Sequence, residues 1–374
     1  MTTALVTGGA GLIGSHIVDA LVVQGWQVRV LDNLEPQTHR DGPPAWLNPQ
    51  AEYQWGDVQK TDDLRAALDG VDVVFHEAAY GGYMPEIAKY IAVNSLGTAL
   101  LLETIRDEGL PVRKVIVASS QAVYDEGAYR AADGTRFFPP TRPHAQLERG
   151  EWEVRDAQGR PATPVPTPEE TPLGGQTVYA ISKADQERLT LTWGRQTGVP
   201  VVALRYSCTY GPRQSLFNPY TGVIAIFCTR LLNALAPVIY EDGRQTRDFC
   251  YVEDIARANL LVASDDRANG GVFNVGSGVG TAIGDLALLL ADALGVQIAP
   301  EFPGEFRPGE IRHLISDTSR IAALGWGAEV PLAAGVRRYL DWIGTQGDVR
   351  DYFTEASERL RARRIVHAAR GAAR

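Results

Sequence analysis

The chain has 374 residues, of which 45% are hydrophobic and 22% are charged. These values predict a globular protein with one large or two medium domains that can bury a core. The formal net charge of -9 argues against a general nucleic-acid binder, which needs a basic face. An anionic ligand would therefore require a local cluster of arginines.

The sequence also limits where the protein works. No basic residue precedes the first apolar run, which ends at once in glycines, so no signal peptide is predicted. The most apolar window, near 286–294, is short and contains Asp292, so no membrane span is predicted. Cys208, Cys228 and Cys250 lack metal-like spacing, which predicts no metal site and no structural disulfide. The expected compartment is the reducing cytoplasm.

A short strand, a glycine-rich turn and a helix open the chain over residues 4–24, and the turn carries Gly8, Gly11 and Gly14. Glycines let the backbone approach a pyrophosphate, whose charge the amides at a helix N-terminus stabilise. A second strand over 28–31 ends at Asp32, whose carboxylate would bind ribose hydroxyls and repel a 2′-phosphate. The segment predicts a site for NAD rather than NADP.

The spacing G-x-x-G-x-x-G resembles that of the extended short-chain dehydrogenase/reductase family, and later runs agree with it. Gly56-Asp57-Val58 resembles the adenine contact, and His76-Glu77-Ala78-Ala79 resembles the H-x-A-A loop that lines the cofactor. Asn94 resembles the helix asparagine that supports the active site, while His76 is given no catalytic role. The resemblance implies cofactor contacts from Gly8, Gly11, Leu12, Ile13, Gly14, Asp32, Asn33, Asp57, Val58, Ala78, Ala79, Asn94, Ser119, Tyr179 and Lys183.

The run Ser119-Ser120-Gln121-Ala122-Val123-Tyr124 follows a strand predicted over 114–118. In the family, the serine four residues before the tyrosine is catalytic; here it is Ser120, whose hydroxyl both donates and accepts and could relay a proton. Nucleotide-sugar 4,6-dehydratases carry Asp-Glu at the next two positions, where this chain has Gln121-Ala122. The dehydratase chemistry lacks its acid and base, so epimerisation is favoured.

A long connection, residues 125 to 178, separates Tyr124 from Tyr179 and is rich in proline, arginine and glutamate. The family usually places fewer residues here. Such connections are either functional or loosely ordered. The slightly favoured interpretation is a surface excursion; the other is a lid or subunit contact near the sugar pocket. A long insertion at this point resembles dTDP-L-rhamnose 4-epimerases.

Tyr179 and Lys183 stand four residues apart in a predicted helix, so both project from one face. A tyrosine with a pKa of about 10 becomes a base near pH 7 if its phenolate is stabilised by roughly 4 kcal/mol. The Lys183 ammonium and the positive ring of oxidised nicotinamide are expected to supply this. The spacing alone recurs by chance on helix surfaces, but beside a dinucleotide turn it predicts the chemical centre.

The run Tyr206-Ser207-Cys208 departs from the family pattern. Most 4-epimerases have Phe-Asn in place of Ser207-Cys208, and that asparagine contacts the substrate's diphosphate. A thiol is a weak hydrogen-bond donor, so a packing role is expected for Cys208. This departure concerns the part of the site that would bind the substrate's diphosphate rather than the part that would carry out the reaction.

Two arginines supply the local positive charge that the acidic chain otherwise lacks. Arg247 stands in a run close to G-x-Q-x-R-D-F and Arg307 in one close to R-P-G-D, and planar guanidinium groups suit a diphosphate. An ion pair of Arg247 with Asp248 or Asp254 is the alternative, and Arg312 is a weaker candidate. With the loop 218–223, the resemblance implies substrate contacts from Ser120, Tyr206, Cys208, Asn218, Arg247 and Arg307.

The resemblance implies an α/β fold, a Rossmann-type doubly wound parallel sheet with a smaller mixed α/β substrate-binding lobe. The predicted NAD-binding domain covers 1–205, including the insertion at 125–175, and the chain returns to it at about 238–275. The substrate lobe covers 206–237 and 276–345, and 346–374 form a solvated C-terminal helix and tail. Family members usually dimerise through two helices, which predicts a homodimer through 86–107 and 180–196.

The function implied is a nucleotide-sugar 4-epimerase with tightly bound NAD, acting on a dTDP- or UDP-hexose. Tyr179 would take the proton of the C4 hydroxyl, directly or through Ser120, while the C4 hydride passes to NAD. The 4-keto sugar would turn over and take the hydride back on its other face. The alternatives are a net nucleotide-sugar oxidoreductase, a 3,5-epimerase or a dehydratase of the same family. A noncatalytic NAD-binding scaffold is more remote.

Overall fold

The computed structural model describes residues 1–370 with three gaps, at Tyr83, Thr221 and Asp348. Thr221 belongs to the predicted loop 218–223, and residues 371–374 end the predicted tail, so these parts of the predictions lie outside the described residues. None of the described helices is long and apolar enough to cross a membrane.

Strands and helices alternate along most of the chain. The strands are β1 (Thr3–Thr7), β2 (Gln27–Asp32), β3 (Glu52–Trp55), β4 (Val73–His76), β5 (Lys114–Ser120), β6 (Ala128–Arg130), β7 (Arg136–Phe137), β8 (Thr163–Val165), β9 (Val201–Tyr206), β10 (Cys208–Tyr210), β11 (Thr246–Tyr251), β12 (Val272–Val275), β13 (Gly280–Ala282), β14 (Glu305–Phe306), β15 (His313–Leu314) and β16 (His367–Ala368). The helices are α1 (Leu12–Val23), α2 (Thr61–Leu68), α3 (Ile87–Tyr90), α4 (Gly97–Asp107), α5 (His144–Glu148), α6 (Val178–Thr197), α7 (Val223–Leu232), α8 (Val252–Ser264), α9 (Ile283–Ala293), α10 (Ser319–Ala322), α11 (Leu332–Gly344) and α12 (Phe353–Ala362). A π-helical segment, Ile91–Leu96, joins α3 to α4.

A seven-stranded parallel sheet forms the larger lobe, in the order β3-β2-β1-β4-β5-β9-β12. Every residue of β4, β5 and β9 is buried, as expected when helices cover both faces of a parallel sheet. Ile17 of α1 and Val262 of α8 join the core on one face, and Leu101 of α4 and Trp193 of α6 join it on the other. The predicted Rossmann-type fold is confirmed.

The direction of strand order reverses between β1 and β4. In open α/β sheets, ligands bind beyond the carboxyl ends of the strands at such a reversal. The glycine-rich turn follows β1, Glu77 follows β4, and Ser120 ends β5. The topology therefore brings the predicted cofactor turn and the predicted catalytic serine to the same edge of the sheet.

The smaller lobe contains the mixed sheet β10-β11-β13, with β15 parallel to β11. Helices α7, α9 and α11 pack against it through Phe227, Leu286 and Tyr339. The division of the chain differs from the predicted one in detail. Strand β11 lies in the smaller sheet, so the return to the larger lobe begins at Val252 rather than near 238. The aromatic ring of Trp326 packs in the core of the larger lobe, because the chain crosses back once more after β15.

The insertion after Tyr124 is a packed subdomain. Strands β6, β7 and β8 form an antiparallel sheet, and Tyr129 and Val154 anchor its own small core. Thr167 continues the hydrogen bonding into the smaller lobe, since its amide donates to the carbonyl of Ile315 at 2.7 Å. The favoured prediction, a surface excursion, is therefore wrong. The proline- and charge-rich composition of the segment did not indicate that it forms a sheet with its own core.

The C-terminal segment packs onto the smaller lobe, so the prediction of a solvated helix and tail is wrong. Phe353 and Leu360 of α12 are buried with Tyr240, and β16 pairs antiparallel with β14. Arg361, one of the basic residues behind the prediction, pairs with Glu305 at 2.7 Å. The apolar residues recur at helical spacing and form a stripe that packs, while the charged residues lie on the other side.

Candidate active site

A cavity of about 650 Å³ lies at the carboxyl edge of the central sheet and extends into the smaller lobe. Its lining includes every predicted cofactor- and substrate-binding residue except Asn94. Asn94 is fully buried, where it bonds to the backbone of Tyr80 and to the hydroxyl of Ser182 at 2.9 Å. Asn94 thus supports helix α6 from behind and does not reach the cavity.

The glycine-rich turn keeps the start of α1 open for an anion. The helix begins at Leu12, its N-cap residue Gly11 makes no side-chain cap, and its first turn has no acidic residue, so its positive dipole end is free. Among the described residues, the contact that a Cβ atom on Gly11 would make is with Gly8 O, at 3.4 Å. A Cβ atom on Gly14 would instead collide with Gly8 O and lie 2.8 Å from Gly9 Cα. The turn therefore fits a dinucleotide pyrophosphate.

Asp32 is held at the other side of the turn. One carboxylate oxygen accepts from the amide of Ala10 at 3.0 Å, and the other accepts from the amide of Leu34 at 2.8 Å. Each oxygen retains a lone pair for a ribose hydroxyl. Nearby, Asn33 donates to Asp57 at 3.2 Å. These residues fit the adenosine half of NAD.

Gly14→Ala tests this turn. The new Cβ atom has no space against Gly8 and Gly9, so we expect the turn to open and the purified variant to lose most of its bound NAD. Gly344→Ala is the matched control, because no described atom outside its own helix lies within 4 Å of the position that its Cβ atom would take and its φ is not positive. Nucleotide released by denaturation is measured by absorbance at 260 nm. Equal NAD content in Gly14→Ala and wild type would contradict the assignment of the turn.

Helix α6 positions Tyr179 and Lys183 through defined ends. The Thr177 hydroxyl accepts from the amide of Ala180 at 3.1 Å, which caps the N-terminus beside the two residues. Gly198 ends the helix with a φ of 79°, a conformation that favours glycine. The helix packs against β5, so its first turn faces Ser120, the predicted catalytic serine.

The Tyr179 phenol contacts Ser120. The Ser120 hydroxyl accepts from the amide of Ala122 at 3.1 Å, which leaves its proton and a second lone pair for Tyr179 and a ligand. Burial raises the pKa of Tyr179, the hydrogen bond from Ser120 opposes that shift, and the negative charge of Glu77 adds to it. The expectation that the pKa of Tyr179 is held down is wrong for the protein by itself, because burial dominates.

Lys183 is buried beneath the cavity floor. Its ammonium donates to the Ala118 carbonyl and to Gln186 Oε1, both at 2.8 Å. These bonds use two of its three N–H groups and leave the third for a ligand hydroxyl. Burial lowers the pKa of Lys183 to about 8, and the carboxylate of Glu77 opposes that shift.

Glu77 is a site residue that the sequence analysis did not single out. It accepts a hydrogen bond from Tyr206 Oη at 2.8 Å, and Asn259 donates to the same phenol oxygen at 2.8 Å. Burial raises the pKa of Glu77 to about 7, opposed by the bond from Tyr206 and the charge of Lys183. The only sequence signal was its place in the loop after β4, between the cofactor-lining alanines and His76.

A network of buried ion pairs and hydrogen bonds, the buried ionic scaffold, lies under the predicted catalytic residues. The Glu187 carboxylate pairs with Arg205 at 2.6 Å and accepts the hydroxyl of Ser119, also at 2.6 Å. Arg205 donates further to Tyr124 Oη at 2.8 Å, and that phenol donates to Asn274 Oδ1 at 2.7 Å. Ser119 lines the cavity, but its hydroxyl faces this scaffold. The network fixes β5, α6 and β9 relative to one another.

His76 is fully buried in its neutral form. Thr7 Oγ1 accepts from the Ala78 amide, so its proton is directed to His76 Nδ1 at 2.8 Å. Thr98 donates to the Asn94 carbonyl and therefore accepts from His76 Nε2 at 2.9 Å. Burial, followed by the charge of Lys183, lowers the pKa of His76 to about 3.

Stability should therefore depend on His76 in acid. The unfolded chain takes up a proton near pH 6.5, whereas folded His76 does so only near pH 3. The unfolded state binds more protons between these values, so this contribution to stability is lost as the pH falls, by up to roughly 1.4 kcal/mol per unit. The free energy of unfolding is measured in urea at several pH values from 4 to 7. Its slope against pH should be smaller for His76→Asn than for wild type, by the amount that corresponds to about one proton. Parallel slopes for variant and wild type would contradict the neutral assignment.

Arg247 and Arg307 converge on one carboxylate in the smaller lobe. Glu310 pairs with Arg307 at 2.8 Å and with Arg247 at 3.3 Å. The Arg307 guanidinium also lies 4.9 Å from the ring centre of Tyr240. The alternative pairing of Arg247 with Asp248 or Asp254 is wrong. Asp248 accepts instead from the amides of Ser277, Gly278 and Ser316, and Asp254 pairs with Arg257 at 2.5 Å. Both arginines are oriented toward the cavity as a pair.

Arg312, the weaker phosphate candidate, does not line the cavity. Its fully buried side chain pairs with Glu153, Glu241 and Asp242 at 2.6 to 2.8 Å. Cys208 does line the cavity, and its sulfur accepts from Gln121 Nε2 at 3.3 Å. Burial raises the pKa of Cys208 to about 11, so the thiol stays protonated.

The far end of the cavity includes residues that sequence reasoning missed. Tyr240, Phe353 and Leu360 line it together, although Phe353 and Leu360 lie in the segment predicted to be a solvated tail. The sequence signal that could have found them is the apolar spacing within 353–360. The C-terminal helix therefore forms part of the wall of the cavity.

The chain matches the NAD dependent epimerase/dehydratase family over residues 4–158 and 156–276. It is 35% identical over 351 residues to a dTDP-L-rhamnose 4-epimerase of Burkholderia thailandensis, covering 92% of this chain and 95% of that protein. It is 31% identical over 349 residues to a putative UDP-glucose 4-epimerase of Methanocaldococcus jannaschii, covering 91% of this chain and 97% of that protein.

Solved structures agree. A UDP-glucose 4-epimerase of Thermotoga maritima, crystallised with UDP-glucose, superposes with a TM-score of 0.75 at 29% identity, covering 93% of this chain and 100% of the other. A UDP-N-acetylglucosamine 4-epimerase of Methanobrevibacter ruminantium superposes with a TM-score of 0.74 at 30% identity, covering 92% of this chain and 99% of the other. The predicted family resemblance and the prediction of NAD as cofactor are confirmed. The chain belongs to the NAD dependent epimerase/dehydratase family.

Proposed function

We propose that the protein is a nucleotide-sugar 4-epimerase that acts on a dTDP- or UDP-hexose with NAD held in the same cavity. The observation that carries the proposal is the convergence of Ser120, Tyr179 and Lys183 on a cavity shared with the glycine turn and two arginines. The names of the relatives support the reaction, since they describe 4-epimerases of dTDP-L-rhamnose and UDP-glucose.

The side chains divide the work. Tyr179, as phenolate, takes the proton of the C4 hydroxyl, directly or through Ser120, and returns it at the end of the cycle. Lys183 holds a hydroxyl of the nicotinamide ribose with its third N–H group. Arg247 and Arg307 hold the diphosphate, which would displace the carboxylate of Glu310 from them. When bound, NAD accepts the C4 hydride and gives it back, and its positive ring favours the Tyr179 phenolate.

A 4,6-dehydratase is the second candidate, since relatives at 28% identity carry that name. Its elimination step needs an acid and a base beside Ser120, where this chain has Gln121 and Ala122. Gln121 donates to Cys208 and cannot act as an acid. Glu126 also lines the cavity. Its carboxylate already accepts hydrogen bonds from the guanidinium of Arg142 and the backbone amide of Arg312, so it does not replace the missing acid. The epimerase is therefore favoured.

Proton NMR of the sugar tests the proposal. The purified protein is incubated with dTDP-, UDP-, GDP- and CDP-hexoses without added cofactor. A product inverted at C4 that reaches equilibrium without NADH release is expected and would name the substrate. Product formation only after NAD is added, with a matching rise in NADH, would instead make the protein a net oxidoreductase.

We further propose that the protein is a cytoplasmic homodimer that pairs through α6 and the helical segment from α3 to α4. Apolar side chains exposed on these helices support the pairing, including Ile87 at 64% and Ile181 at 51% exposure, with Ile91, Leu96 and Leu189. The three free thiols support a reducing compartment. Light scattering should give twice the 40.6 kDa chain mass; a monomer mass would reject the pairing.

A further inference from the structure

Arg142 joins the insertion to the loop that carries Arg307 and Glu310. Its side chain is only 2% exposed. The Nε group donates to Glu126 at 2.8 Å, and the two terminal nitrogens donate to Glu241 at 2.9 and 3.1 Å. The remaining N–H groups donate to the carbonyls of Trp152 and Glu310, both at 2.8 Å. All five donors of the guanidinium are therefore used.

The loop 307–312 is held by the insertion at two points. Arg142 fixes the carbonyl of Glu310, and Glu126 accepts from the backbone amide of Arg312 at 2.7 Å. Between these points, the carboxylate of Glu310 pairs with both cavity arginines, Arg247 and Arg307. The insertion thus reaches the two arginines through one intervening residue.

Glu241, at the connection between the insertion and the loop, has a strained backbone conformation. Its φ of 56° lies in the left-handed region, where residues other than glycine are strained. Its carboxylate is clamped by Arg142 at 2.9 Å and by Arg312 at 2.8 Å. Such strain persists where surrounding contacts fix the residue, and here those contacts join the insertion to the loop.

We propose that Arg142 is a positioning residue for the substrate's diphosphate. It fixes the loop 307–312 and thereby keeps the guanidinium groups of Arg247 and Arg307 where they can bind the two phosphates. The inference rests on the proposed function. The insertion is then a fixed wall of the substrate site rather than a lid, since moving it away would break the buried ion pair between Arg142 and Glu241, which is costly. The dinucleotide turn is held by β1, β2 and α1 and does not depend on it.

The test measures binding of UDP and dTDP alone by calorimetry, using the NAD-containing protein and three variants. Arg142→Lys keeps the charge but loses the planar fork, and we expect its Kd for the favoured nucleotide to rise about tenfold. NAD content should stay at the wild-type level, and KM for the sugar nucleotide should rise more than kcat falls. Arg160→Met is the matched control: Arg160 also forms an ion pair inside the insertion, with Asp156, but does not touch the loop. Its Kd should be unchanged.

Glu126→Gln is the third variant, which keeps the size of the side chain and should also weaken nucleotide binding if the loop is the point of action. Folding of each variant is checked by far-UV circular dichroism. If folded Arg142→Lys and Glu126→Gln proteins bind nucleotide as tightly as wild type, the positioning role alone is overturned. Wild-type protein that binds neither nucleotide would overturn the proposed function as well.

Discussion

Replacing Tyr179 by phenylalanine is expected to lower kcat by about 10³-fold or more, within the range that a positioned acid–base group supplies. The phenol is the group that reaches Ser120 from α6, and its loss removes the base that takes the C4 proton. The ring itself packs near Tyr90, with centroids 6.2 Å apart, so the fold should survive. Turnover is measured by NMR of the sugar.

Two measurements make the Tyr179 result interpretable. NAD content and the affinity for UDP or dTDP should match those of wild type, because neither depends on the phenol proton. Ser120→Ala should lose less activity than Tyr179→Phe if the tyrosine can take the proton directly. Near-normal turnover by Tyr179→Phe would show that another group is the base.

Replacing Glu187 by alanine should lower the free energy of unfolding by about 3–5 kcal/mol, the cost of removing one partner of a buried ion pair and leaving the other unpaired. The variant leaves the guanidinium of Arg205, only 5% exposed, without its carboxylate. It also removes the acceptor of the Ser119 hydroxyl. Urea unfolding at pH 7 measures the effect.

Glu253→Ala is the control for that experiment. Glu253 pairs with Arg338 at 3.3 Å, but both side chains are more than half exposed, so its loss should cost less than about 1 kcal/mol. Equal losses for the two variants would show that the pair of Glu187 and Arg205 contributes no more than a surface contact. The scaffold beneath the catalytic residues would then need another explanation.

The cavity-lining residues whose positions could be predicted from the sequence depend on local signals. The glycines of the first turn, the acid at the end of β2 and the four-residue spacing of Tyr179 and Lys183 each follow from short-range geometry. The spacing along a single helix or strand fixes which side of that element a residue lies on, so these positions follow from the sequence alone. The central sheet could be predicted for the same reason, since its strands are short apolar runs between helices.

The insertion could not be predicted because its contacts are long-range. Arg142 meets Glu241 across 99 positions and Glu310 across 168, and nothing near Arg142 in sequence indicates either partner. The C-terminal helix was misjudged for a related reason: charged residues are interleaved with its apolar ones, and the surface that buries Phe353 lies on a distant segment. The pKa of Tyr179 depends on burial, which composition does not reveal.

The central claim is a transient oxidation at C4 by a cofactor that stays bound. The most direct measurement uses the accepted nucleotide hexose deuterated at C4, incubated with the protein in ordinary water. We predict that the C4-inverted product retains deuterium at C4, because the same hydride leaves and returns, and that no NADH appears in solution. Loss of the label to water would show that the centre exchanges a proton and would contradict the mechanism.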